Sequence, residues 1–170
     1  RDQIGRFLEH KPPGCIALCD INLRTGCYDA QSIQSSLKYA DILKLNMQEL
    51  QECLRVAGIG TDASDAVDRL MTAYNIETLA LTNGDRGSEL HTAKGVVRTA
   101  SQPVKSMADT VGAGDAYAAM LAAGILRGCK PQQTLARATA FAADICAIEG
   151  AIPDSAHFYA PLRKLMRNGA

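Results

Sequence analysis

Short apolar runs alternate with segments of helical period along most of this chain, and that alternation points to an α/β fold. Cys15-Ile16-Ala17-Leu18-Cys19, Ile42-Leu43-Lys44-Leu45 and Thr78-Leu79-Ala80-Leu81-Thr82 read as buried strands. Residues 2–9 predict a helix stopped by Lys11-Pro12-Pro13-Gly14. Asp29 caps an expected helix to about Tyr39, with Ile33 and Leu37 on one face. Asn46 caps the next, Met47 to about Val56, which ends near Gly58. Thr61 caps a third, running to about Tyr74 with Ala66, Leu70 and Ala73 at helical spacing. Beyond Thr82 the expectation is a turn at 83–87, a hairpin at 88–92 and 95–99, and an extended stretch at 103–106. Helices at 113–127, 131–147 and 157–167 then follow. The 170 residues, a little under half of them apolar, suffice for one substantial core, so a single domain is expected.

Charge and cysteine usage exclude several classes. Lys plus Arg and Asp plus Glu number 18 each, and the basic residues are scattered, which is not the clustered footprint of a nucleic-acid binder. The six cysteines, Cys15, Cys19, Cys27, Cys53, Cys129 and Cys146, form no C-x-x-C and no Cys/His cluster of zinc spacing. They read as reduced thiols, several in the core, of a cytoplasmic protein. The most apolar stretch, Ala116–Leu126, is about half the length of a membrane-spanning helix. The chain opens Arg1-Asp2-Gln3 without a readable leader, which raises the expectation that an N-terminal part precedes it. His10, His91 and His157 lie in unrelated segments and read as surface or hydrogen-bonded histidines.

The strongest chemical signal is Asp109-Thr110-Val111-Gly112-Ala113-Gly114-Asp115, directly before Ala- and Leu-rich helical sequence. Glycines there let backbone amides approach an anion at a helix N-terminus, where the unpaired N–H groups and the helix dipole favour negative charge. Asp115 in that first turn is a carboxylate placed to take a proton from an attacking hydroxyl. Alone, a G-x-G before a helix also fits a tight turn, and a lone Asp there also fits helix stabilisation. Asn46 and Glu49 can converge on one ligand or form a reciprocal capping box. Lys44 reads either as a charge near a phosphate or as a solvated lysine. No nucleophile elbow supports a hydrolase, and no G-x-G-x-x-G follows the first strand to support a dehydrogenase.

Taken in order, four segments resemble the ribokinase-like, or PfkB-type, carbohydrate kinases. Asp109 to Asp115 followed by Ala116-Tyr117 resembles their C-terminal signature, and Asp20-Ile21-Asn22-Leu23-Arg24 looks like the D-x-N-x-R segment of the fructokinase and 2-keto-3-deoxygluconate kinase branches. Lys44-Leu45-Asn46-Met47-Gln48-Glu49 is similar to the N-x-x-E motif, and Thr82-Asn83-Gly84-Asp85-Arg86-Gly87-Ser88 to the T-x-G-x-x-G turn. Glu149-Gly150-Ala151 looks like the family's Gly-Ala close. The 131–147 helix departs from the pattern, since Ala138-Thr139-Ala140-Phe141-Ala142 lacks the Asn that relatives often carry near the nucleotide.

The resemblance implies a three-layer αβα sandwich with a mostly parallel sheet. The chain would be the C-terminal nucleotide-binding and catalytic part of a longer sugar kinase, without the strand-rich lid. It implies transfer of the γ-phosphoryl group of ATP to a sugar hydroxyl, with fructose or 2-keto-3-deoxygluconate favoured. Asp115 would be the base, with the amides of Gly112, Ala113 and Gly114 stabilising the transferring group. Lys44, Asn46, Glu49, Thr82, Gly84, Gly87 and Thr110 would line the nucleotide, and Asp20, Asn22 and Arg24 the sugar, beside Asp115. Mg2+ would sit near Asn46 and Glu49 through water, and K+ near Asp109, the Val111 carbonyl and Gly150. Partners would be ATP and a small sugar, not nucleic acid or membrane, and a homodimer would pair through the lid. A rival expectation is a nucleotide-binding fragment that is catalytically silent without its N-terminal half.

Overall fold

The computed structural model describes residues 2–61, 64–102, 108–160 and 162–163. Five strands form one sheet in the order β1 (Leu18–Asp20), β2 (Ile42–Asn46), β3 (Thr78–Thr82), β4 (Ser88–Thr92) and β5 (Gly95–Thr99). The first three run parallel, with Leu18 opposite Ile42 and Ile42 opposite Thr78, as helical crossovers between short apolar strands require. The chain divides into two compact units, Arg1–Asn83 with Leu90–Val96, and Gly84–Glu89 with Val97–Ala170.

In the first unit, α1 (Asp2–Glu9), α2 (Ala30–Tyr39), α3 (Met47–Val56) and α4 (Ala66–Tyr74) accompany the parallel strands. Leu43, Leu45 and Leu79 are fully buried and cluster with Leu37 of α2, Leu54 of α3 and Leu70 of α4. Each such side chain contributes about 1.5–3 kcal/mol by leaving water. The start of α2 is fixed locally: Asp29 Oδ1 accepts from the Ser32 amide at 2.7 Å, and Ser32 Oγ accepts from the Asp29 amide at 2.9 Å.

Several expectations give way here. The first strand begins at Leu18 rather than Cys15 and is only half-buried, because it is the sheet's edge: Ile16 is 44% exposed. Residue 17 joins instead through Asp41, whose carboxylate accepts from the Ala17 amide at 2.6 Å and also pairs with Lys11. Thr61 does not cap α4, which starts at Ala66 after Asp65; residues 62–63 lie outside the described ones. Ala73 faces solvent, and the buried stripe of α4 runs through Ala66 and Leu70 with Met71 and Tyr74 packed beside it. Only one cysteine, Cys53, is a core residue, whereas Cys15 and Cys27 are exposed and all six are free thiols.

In the second unit, α5 (Ala113–Leu126) and α6 (Pro131–Cys146) approach closely at Gly124. A Cβ there would lie 2.6 Å from Thr134 Cγ2, so only hydrogen fits at the contact. Beneath α5, the hydroxyls of Ser88 and Thr139 are hydrogen-bonded at 2.7 Å, and burial pushes the nearby Tyr117 phenol up. The closing segment opens with a 3-10 turn, Ala156–Tyr159, and is helical at 160 and 162–163, so the helix expected at 157–167 begins a few residues late. Its Phe158 and Tyr159 rings lie 6.1 and 6.3 Å from Phe141 of α6, and most of 160–167 lies outside the described residues. The same holds for the stretch expected at 103–106. No helix among the described residues is long and apolar enough to cross a membrane.

Candidate active site

The candidate residues of the first unit gather where the parallel strands end. Asp20 is opposite Lys44 in the register, and Asn46 is opposite Thr82, so the carboxyl ends of β1, β2 and β3 present three of the expected motifs side by side. That edge is where open α/β sheets bind ligands. Lys44 is neither solvated nor free to meet a phosphate on its own: it is 8% exposed, and Nζ donates to both Asp20 oxygens at 3.0 and 2.8 Å. A buried lysine beside a carboxylate on the adjacent strand satisfies its charge there, and the register that brings them together is a tertiary fact.

Asn46 and Glu49 form the capping box in full. Asn46 Oδ1 accepts from the Glu49 amide at 2.9 Å, and Glu49 Oε2 accepts from the Asn46 amide at 2.8 Å. Glu49 does one thing more, since Oε1 accepts from the Leu23 amide at 3.1 Å. Leu23 was no candidate from sequence, because a backbone donor 26 residues away leaves no side-chain signal. On either side of it, Asn22 and Arg24 are exposed, and Asn22 holds a left-handed backbone at φ 41°.

The T-x-G-x-x-G turn is built for glycine at its end. Gly87 has φ 93°, and a Cβ there would lie 2.0 Å from the Thr99 carbonyl oxygen. Gly84 (φ 58°) opens a 3-10 turn, and Thr82 Oγ1 donates to the Leu45 carbonyl at 3.3 Å.

In the second unit, Gly112 is the N-cap of α5 at φ 83°. A Cβ on it would lie 2.7 Å from Ala151 Cβ and 2.9 Å from Ala151 Cα, so the Gly-Ala close and the glycine loop touch. The loop is tied down beyond that contact. Asp109 Oδ1 accepts from the Val111 amide at 3.0 Å, and the Ala108 amide donates to the Cys146 carbonyl at the end of α6, 2.9 Å away. Burial, and after it the charge of Asp109, pushes the Cys146 thiol up. Thus Asp109, Val111, Gly112 and the 150–151 segment, with its Gly150 at φ 77°, form one cluster. Within the turn, the Ala113 amide donates to the Thr110 carbonyl at 3.3 Å, while Gly114 and Asp115 stand exposed in the first turn of α5. Amides of a first turn have no carbonyl partner within their own helix, so the Gly114 and Asp115 N–H groups suit an anion.

Among the described residues, no group of three or more His, Cys, Asp or Glu side chains is placed to hold a metal ion.

The pfkB family carbohydrate kinase matches residues 14–157. An uncharacterized sugar kinase from Pyrococcus horikoshii is 27% identical, with TM-score 0.73 over 98% of this chain and 54% of its own. The 2-dehydro-3-deoxygluconokinase of Thermotoga maritima is 20% identical, with TM-score 0.73 over 98% of this chain and 54% of its own. A nucleoside kinase of Burkholderia thailandensis, solved with inosine, is 18% identical, with TM-score 0.72 over 96% of this chain and 51% of its own. The chain therefore spans about half the length of these solved structures. Comparison with curated proteins gave no match. The matched span takes in the D-x-N-x-R loop, the N-x-x-E cap, the T-x-G-x-x-G turn and the glycine loop with its aspartate, and the chain belongs to the pfkB family of carbohydrate kinases.

Proposed function

We propose that this chain is the nucleotide-binding and catalytic portion of an ATP-dependent carbohydrate kinase. The observation that carries the reading is the start of α5: a side-chain-free Gly112 at φ 83° against Ala151, followed within one turn by an exposed Asp115. Asp115 takes the proton of the sugar hydroxyl as its oxygen bonds to the γ-phosphorus. The bond from that phosphorus to the bridging oxygen breaks, and ADP leaves. The first-turn amides and the helix dipole stabilise charge on the transferring group, with no reorganisation at the moment of reaction. Thr110, Thr82, Gly84 and Gly87 are assigned to the nucleotide.

A magnesium ion, when bound, would neutralise the triphosphate. Each Glu49 oxygen already accepts a backbone amide, so Asn46 and Glu49 fit it through water rather than by direct ligation. Asp109, the Val111 carbonyl and Gly150, clustered at the loop, are the groups assigned to K+.

Asp20, Asn22 and Arg24 are assigned to the sugar, which favours fructose or 2-keto-3-deoxygluconate over a nucleoside. Asp20 serves there as a hydrogen-bond acceptor whose charge Lys44 already balances. The six free thiols fit a reducing, cytoplasmic compartment. A second reading, a nucleotide-binding module silent by itself, draws on the chain's spanning only about half of its structural relatives. Calorimetry with ATP, alongside ADP release from the full-length protein and from residues 1–170 against fructose, 2-keto-3-deoxygluconate, ribose and inosine, separates them. Sugar-dependent ADP release supports the kinase, and ATP binding by residues 1–170 without turnover supports the module.

A further inference from the structure

Ser88 follows directly on Gly87 of the T-x-G-x-x-G turn, and its hydroxyl is hydrogen-bonded to that of Thr139, 51 residues later, at 2.7 Å. Both side chains are buried, at 4% and 9% exposure, so neither hydroxyl is open to a ligand. Thr139 stands midway along α6, among buried residues that include Leu135, Ala138 and Ile145. A hydroxyl in such a place costs free energy unless it is bonded, and two apolar side chains of the same shape would be about as stable as the bonded pair. Stability alone does not call for the pair, and what the bond does is fix Ser88. The turn ahead of it is held from its other side at the surface: the Gly87 amide donates to the Gly84 carbonyl at 3.2 Å, and Ser101 Oγ donates to the Asp85 carbonyl at 2.5 Å. The Ser88–Thr139 bond adds a buried tie to a helix, and that helix is itself seated against α5 at Gly124, where only hydrogen fits.

We propose that Thr139 is a positioning residue for the nucleotide, holding the Gly84–Gly87 turn in place through the Ser88 hydroxyl. This rests on the assignment of Gly84 and Gly87 to the nucleotide in the kinase reading above. The neighbourhood shows what loss of Thr139 would do. The Tyr117 hydroxyl on α5 has no hydrogen-bond partner among the described residues, yet Ser88 lies near enough to oppose the upward push that burial gives that phenol. Without the Thr139 hydroxyl, Ser88 turns towards Tyr117, and the backbone of the turn shifts with it.

In the full-length protein, Thr139→Val keeps the shape and removes the hydroxyl, Thr139→Ser keeps the hydroxyl, and Ser88→Ala removes the other end of the bond. The net worth of one ordinary hydrogen bond corresponds to about 3- to 10-fold in an equilibrium constant. The Kd for ATP, read by calorimetry, should rise by about that factor in Thr139→Val and in Ser88→Ala, and stay within about twofold of wild type in Thr139→Ser, with the acceptor KM unchanged in all three. Because both ends serve one bond, the Ser88→Ala/Thr139→Val double variant should bind ATP no more weakly than either single variant. Its Tm should lie above that of Thr139→Val, since no hydroxyl of the pair is left buried alone. Should Thr139→Val fail to fold, the double variant carries the test, with the same rise in Kd expected. A lower Tm with an unchanged Kd for ATP overturns the inference, because packing then accounts for Thr139, and so do losses that add in the double variant. A wild type that binds ATP but phosphorylates none of fructose, 2-keto-3-deoxygluconate, ribose or inosine ends the kinase reading alone, whereas one that binds no ATP overturns both.

Discussion

Gly112→Ala tests the cradle at the start of α5 through two separate penalties. An L-residue at φ 83° takes on the left-handed cost, about 1–2 kcal/mol. The new Cβ would also stand 2.7 Å from Ala151 Cβ and 2.9 Å from Ala151 Cα, closer than carbon atoms tolerate. Backbone shifts that relieve such overpacking cost typically about 1–3 kcal/mol. Together these come to roughly 2–5 kcal/mol. At about 2–4 °C per kcal/mol for a domain of this size, the Tm should fall by roughly 4–20 °C. If the loop moves instead of destabilising the fold, the amides leave the anion site and ATP affinity falls. Thermal unfolding with and without ATP, together with calorimetric ATP titration, reads both outcomes. Adding Ala151→Gly removes the 2.7 Å contact but leaves the backbone one and the positive φ, so the double variant should recover only part of the loss. A Gly112→Ala protein with wild-type Tm and wild-type ATP affinity would refute the reasoning.

Two further perturbations probe the surrounding structure. Gly124→Ala puts a methyl group 2.6 Å from Thr134 Cγ2 at the α5–α6 contact and should cost about 1–3 kcal/mol, read as a lower Tm, while Gly128→Ala, whose Cβ meets nothing within 4 Å, carries only a φ penalty. Burial pushes the Cys53 thiol up to about 12, so at pH 8 it stays protonated in the folded protein. Iodoacetamide should then label exposed Cys15 and Cys27 and spare Cys53 until denaturant is added; rapid labelling of Cys53 in the native protein would contradict its place in the core.

Much of this architecture was readable because its signals are local. Ile33 and Leu37 share a face one helical turn apart, Asp29 and Asn46 precede amphipathic helices, and Leu43, Leu45 and Leu79 lie in runs too short for a buried helix. Where neighbours in space decide, reading fails. The first strand lost Cys15 to Ala17 because it lies at the sheet's edge, where an apolar run need not be covered. Thr61 has a capping side chain, but helical structure waits until Ala66. The motifs named candidate residues, and the strand ends bring those of the first unit to one edge. What no motif could convey was how these residues are engaged. The parallel register alone sets Lys44 against Asp20, a bond to a backbone amide turns Glu49 towards Leu23, and chain segments some forty residues apart meet at Gly112 and Ala151.

The most direct test of the proposed chemistry is sugar-dependent ADP release by the full-length protein and its Asp115→Asn variant, measured with ATP affinity in parallel. General-base catalysis contributes about 100- to 10,000-fold, so the variant should turn over that much more slowly while ATP affinity stays within a few-fold of wild type. Near wild-type turnover by Asp115→Asn would contradict the assignment of the base and, with it, the central reading of the glycine loop.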